Sequence, residues 1–133
     1  MHPIDFVRGL GVDEAIDYST TPFENAVSNV DVVLDTVGGD TQQRSWQVLK
    51  PGGILVSTIQ APSEETAKAH GVRGAMVFSS PPIAEVLTEV AALVDTGKIK
   101  PEVFAVLPLQ EIRKAHQMVE AGHTRGKIVL QVA

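Results

Sequence analysis

The chain has no cysteine among its 133 residues. That absence excludes a disulfide scaffold, a Cys-based zinc site and a thiol nucleophile. Positive charge is scarce as well: 11 Lys and Arg stand against 16 Asp and Glu, for a net charge of −5. Nucleic-acid binding needs a basic footprint, so no nucleic-acid partner is expected. No run approaches the ~18 consecutive apolar residues of a membrane span. The opening residues, Met1-His2-Pro3-Ile4-Asp5, have neither an apolar stretch nor a basic leader, so no secretory signal is expected. The 8 prolines and 11 glycines are dispersed, which excludes a low-complexity or collagen-like chain. What remains is an ordinary globular composition, 44% hydrophobic and 20% charged. A chain of 133 residues holds about one domain and can bury a core without staples. Residues 1–133 are therefore expected to form one soluble, cytoplasmic domain.

Two kinds of apolar segment alternate. The short ones are rich in β-branched residues and read as strands: Ala15 to Tyr18, Val30 to Asp35, Ile54 to Ile59, Val72 to Phe78, Val103 to Leu107 and Lys127 to Val132. The second and third are almost continuously apolar, as in a parallel sheet covered on both faces. Between the strands lie helix signals. Thr21-Pro22-Phe23-Glu24 and Asp40-Thr41-Gln42-Gln43 have the form of capping boxes. The second of these helices is expected to end near Lys50-Pro51-Gly52-Gly53. Ser63 can cap a helix that opens with Glu64 and Glu65. After Pro82, residues Ile83, Val86, Leu87, Val90, Leu93 and Val94 follow helical spacing, with Gly97 as the stop. A further helix is predicted from Pro108, with Leu109, Ile112, Ala115 and Val119 on one face and Gly122 behind it.

Strands alternating with helices predict an α/β fold with a parallel, doubly wound sheet. Ligands of such sheets bind beyond the carboxyl ends of the strands. The ends to inspect are Asp17-Tyr18, Asp35 to Gly39, Ser57 to Ile59 and Val77 to Ser79. The glycine-rich G-x-G-x-x-G turn that cradles a pyrophosphate is absent. Gly9-Leu10-Gly11 reads as a helix C-cap. Gly38-Gly39 follows a strand and precedes a helix, and reads equally as a tight turn or a ligand-facing turn. Asp35 is open to two readings, orienting a ribose or capping local amides. Tyr18, the single tyrosine, is followed four residues later by Pro22, which excludes a Tyr-x-x-x-Lys proton donor. His2, His70, His116 and His123 have no carboxylates at ligand spacing and read as solvated or capping residues, so no metal site is expected. Arg125 and Lys127 read as a solvated basic spot, and Trp46 as core.

Four stretches carry a family resemblance. Asp5 to Tyr18, Val30-Asp31-Val32-Val33-Leu34-Asp35-Thr36-Val37-Gly38-Gly39, Leu49-Lys50-Pro51-Gly52-Gly53-Ile54-Leu55-Val56-Ser57 and Gly126-Lys127-Ile128-Val129-Leu130 resemble, in order, stretches of the medium-chain dehydrogenase/reductases. The nearest branch is that of the zinc-independent quinone oxidoreductases. The resemblance implies the C-terminal part of a dinucleotide-binding domain, a Rossmann-like sheet without its first two strands. It also implies that the GroES-like catalytic domain and the pyrophosphate turn are not in this chain. In the complete enzymes, NADPH (or NAD) delivers hydride to a quinone, enone or carbonyl substrate. By the same resemblance Tyr18 lies near the adenosine ribose or its 2′-phosphate. Val37, Thr58 and Ile59 flank the nicotinamide ribose and ring, and Phe78, with Ser79-Ser80-Pro81 after it, meets the carboxamide; Gly38 joins these candidate cofactor residues from its strand-end position. No residue matches a catalytic proton donor or a zinc ligand, and the chain alone is expected to lack catalytic competence. An exposed sheet edge predicts a homodimer or higher oligomer. Two other classes stay open: an oligomerising or interaction module built on this fold, and an S-adenosylmethionine-dependent methyltransferase, whose members share the Leu-Lys-Pro-Gly-Gly turn.

Overall fold

The computed structural model describes residues 3–78, 83–122 and 124–132. His2, Ser79 to Pro82 and His123, which figure in the expectations above, lie outside that set. The chain divides into two compact units, residues 1–79 and 80–133.

In the first unit α1 (Pro3–Gly9) closes with the amides of Leu10 and Gly11 donating to the carbonyls of Val7 and Arg8. This is the C-cap expected of Gly9-Leu10-Gly11. The segment Ala15 to Tyr18, predicted as a strand, is irregular. Asp17 folds the chain back on itself: its side chain accepts from the Ser19 amide, and its carbonyl accepts from Thr20 and Thr21. Such an Asx turn competes with a ladder, and no described strand lies alongside.

A single turn, α2 (Phe23–Ala26), follows. The capping box predicted at Thr21 does not form. Pro22 takes the N-cap position without a side-chain bond, and the Glu24 carboxylate pairs instead with Arg44, at 2.9 and 3.1 Å. The Arg44 guanidinium also lies over the Phe23 ring, 5.0 Å from its centroid.

The sheet of this unit runs β1 (Val30–Asp35), β2 (Leu49–Ser57), β3 (Arg73–Met76), parallel throughout. Between β1 and β2 lies α3 (Gly39–Ser45), which tightens into a 3-10 turn over Trp46–Val48. The strand thus begins at Leu49, earlier than the predicted helix stop. Val30 pairs with Leu49 but Val32 with Ile54, so Pro51-Gly52-Gly53 bulges out of β2. A Cβ at Gly53 would sit 3.0 Å from the carbonyl oxygens of Asp31 and Lys50, which keeps that position small. The helix α4 (Glu64–Ala69) starts on Ser63, whose side chain accepts from the Thr66 amide at 3.2 Å. The core gathers Trp46, Leu49, Leu55, Ala67 and Val72, with Val30 and Val33 against it. His70 stacks on Trp46 at 6.5 Å. β1 was expected to be covered on both faces, yet Val32 and Leu34 are 58% and 65% exposed. The core covers the opposite face, where Val33 packs, and reaches round to Val30 at the start of the strand.

In the second unit α5 (Ile83–Asp95) has the predicted apolar stripe, and none of its residues is buried. The amides of Lys98 and Ile99 close it by donating to Leu93. β4 (Val103–Pro108) and β5 (Lys127–Gln131) pair in parallel, joined through α6 (Ile112–Glu120). No helix among the described residues is long and apolar enough to cross a membrane.

Candidate functional site

The carboxyl ends of β1 and β2 meet in register, Asp35 opposite Ser57. Asp35 is buried, and four donors converge on its carboxylate. Oδ1 accepts from the amides of Val37 at 3.0 Å and Gly38 at 2.8 Å. Oδ2 accepts from Gln42 Nε2 at 2.9 Å and Ser57 Oγ at 2.8 Å. Burial pushes the Asp35 carboxyl up, but the Gly38 and Val37 amides, then Gln42 and Ser57, outweigh it. The net effect holds Asp35 below the usual carboxylate range. Of the two readings open for this residue, the structure selects the capping one.

The same cluster reaches the next turn. Ser57 Oγ accepts from the amides of Ile59 and Gln60, each at 3.2 Å. Gln42 Nε2 also donates to the Gln60 carbonyl at 2.9 Å, and Gln60 Oε1 accepts from the Gly39 amide at 3.1 Å. The start of α3 is therefore capped from a distance by Gln60, and the local cap predicted at Asp40 is not used. Gly38 stands at φ +77°, and a Cβ there would meet Ile59 Cγ2 at 3.1 Å. Only a glycine lets these two turns touch without strain.

Val37, Gly38, Thr58 and Ile59 are thus brought together as one shelf at the strand ends. Val37 and Ile59 are 66% and 58% exposed above the buried polar cluster. Phe78, 71% exposed, follows Val77, whose amide donates to the Ser57 carbonyl at 2.9 Å. That bond carries the chain after β3 toward the same end. Tyr18 is not seated on a strand end: it lies in the turn after Asp17, 89% exposed. Sequence reasoning does not single out Gln42 or Gln60. A signal existed for the first, since an Asp and a Ser ending adjacent buried strands require donors nearby.

Comparison with known proteins places the chain. A family profile described as zinc-binding dehydrogenase matches residues 10–130. The chain belongs to that family. Similar proteins include the mitochondrial NAD(P)H oxidoreductase RTN4IP1 of Danio rerio, 30% identical over 95% of this chain and 39% of that protein. The chloroplastic NADPH-dependent alkenal/one oxidoreductase of Arabidopsis thaliana is 29% identical over 96% of this chain and 31% of its own length. Among solved structures, the quinone oxidoreductase of Coxiella burnetii superposes with a TM-score of 0.84 at 33% identity, covering 98% of this chain and 42% of that one. The chain spans about a third to two fifths of the length of these relatives. The medium-chain dehydrogenase/reductase resemblance and the Rossmann-like parallel α/β fold both stand. The zinc in the family's description does not fit the donors here. The sequence has no cysteine, and among the described residues no three of His, Asp and Glu are grouped to hold an ion.

Proposed function

We propose that this chain is the C-terminal part of the dinucleotide-binding domain of an NAD(P)-dependent oxidoreductase, and that its strand-end shelf seats the nicotinamide end of the cofactor. The observation that supports this most is the touching pair of turns, Gly38 against Ile59, at the carboxyl end of a parallel sheet. Ligands of such sheets bind at that end. A bound dihydronicotinamide supplies the hydride, and a quinone or an enone is the acceptor this reading favours, in keeping with the names of the relatives. The chain's own residues bind and orient. Val37 and Ile59 offer apolar side chains to one side of a flat ring, and Phe78 exposes an aromatic face at the neighbouring strand end. Thr58 adds a hydroxyl, and Tyr18 is assigned to the adenosine edge.

Titration of the isotope-labelled chain with millimolar NADPH, followed by amide NMR, tests the reading. Shifts are expected at Val37, Gly38, Thr58, Ile59 and Phe78. S-adenosylmethionine at the same concentration should leave them in place. Equal response to both ligands, or none at these amides, rejects the proposal. The sequence has no glycine-rich pyrophosphate turn, and several charge-assisted bonds of about 1.5–3 kcal/mol each go with it. Binding should accordingly be weak, and steady-state assays with NADPH and common quinones should show background only.

A further inference from the structure

The cluster around Asp35 carries a further step, which rests on the reading of the shelf just given. Asp35 and Ser57 lead into different turns, 22 residues apart in sequence. Asp35 Oδ1 holds the first turn through Val37 and Gly38. Oδ2 takes the single hydroxyl proton of Ser57, which leaves the lone pairs of Ser57 Oγ for the Ile59 and Gln60 amides of the second turn. Gln42 ties the two together, donating to Asp35 Oδ2 and to the Gln60 carbonyl. We propose that Asp35 is a positioning residue: one buried carboxylate, acting through Ser57 and Gln42, locks both strand-end turns into a single seat for the nicotinamide ring.

The chemistry at this position requires a carboxylate. Four donors converge, and an ionised Asp offers about four acceptor sites and no proton. An Asn would turn an NH2 toward Ser57 or Gln42, both of which donate. With its acceptor sites occupied and 4% of its surface exposed, Asp35 has nothing left for a ligand. Its influence on the cofactor passes entirely through backbone that it holds.

Amide hydrogen exchange, read by NMR on the wild type, Ser57→Ala, Ser57→Thr and Asp35→Asn, tests the lock, with NADPH titrated into each. In Ser57→Ala and Asp35→Asn, exchange at Ile59 and Gln60 should rise on the order of tenfold, the worth of one lost hydrogen bond. Leu55, inside β2, should stay slow. Asp35→Asn keeps one acceptor oxygen, so Val37 and Gly38 should remain protected. NADPH should bind several-fold more weakly to both variants, and Ser57→Thr, which retains the hydroxyl, should restore exchange and binding together. Unchanged exchange at Ile59 and Gln60 overturns the proposal, as does a uniform rise across β1 and β2. Raised exchange with unaltered NADPH affinity overturns the seat. If Asp35→Asn does not fold, Ser57→Ala, which loses one buried oxygen, carries the test. A wild type deaf to NADPH defeats the functional reading, while the exchange pattern still decides whether the carboxylate locks the turns.

Discussion

Asp35 is buried and still ionised, a combination with a direct acid signature. Its carboxyl is held below the ordinary range by four hydrogen bonds acting against burial. A group whose folded pKa is depressed adds stability above its unfolded pKa of about 4 and loses it as pH falls through the folded value. Asp35→Asn should therefore be less stable than the wild type at pH 7, by ~2 kcal/mol for the charge-assisted bonds removed. The gap should narrow progressively below about pH 4. Urea unfolding at pH 7, 5, 4 and 3 measures it, and a constant gap would mean that Asp35 is not the titrating group. Glu24 is depressed too, by its own amide and then, against burial, by Arg44. It is present in both proteins and cancels in the difference. The character of Asp35 was half legible in the sequence. A strand-end Asp before Gly-Gly announces a capped turn, but whether it faces amides or a ligand depends on what β2 brings alongside, and that is a tertiary fact.

At the level of elements, signals that need only neighbouring residues read well. β1 spans the predicted Val30 to Asp35, and Ser63 caps α4 as its position before Glu64 and Glu65 requires. Ser63→Ala should lower stability by ~1 kcal/mol, seen as a lower urea midpoint at constant slope. Asn at the same site should be nearly neutral, and equal loss in both would deny the cap. Signals that compete with distant partners read poorly. Glu24 fits a capping box until Arg44 arrives, and Asp40 fits a cap until Gln60 reaches Gly39. Ala15 to Tyr18 has strand composition, but a strand exists only where another chain segment completes its ladder. The apolar stripe of α5 illustrates the same limit, because periodicity marks a face without saying what covers it.

For the molecule as a whole, the exposed apolar edges are the physical issue. β1 is an edge strand whose Val32 and Leu34 face solvent. The other edge, β3, has Arg73 as its one charged side chain, and a single charge is a thin guard against strand addition. We expect a dimer or larger assembly, with light scattering over a tenfold dilution series showing a mass that falls on dilution. A constant monomer mass would reject it. The bulge at Pro51-Gly52-Gly53 has a different kind of consequence. It lies beside Val30, where the strands begin, while Asp35 and Ser57 lie where they finish. The turn that most plainly advertises kinship is therefore a marker of shape, remote from the proposed seat. Enzymes with unrelated cofactors can share it for the same geometric reason, so a search keyed on that turn would retrieve folds rather than reactions. The residues on which the proposed seat depends stand at the opposite end: Gly38, Gln42, Ser57 and Gln60.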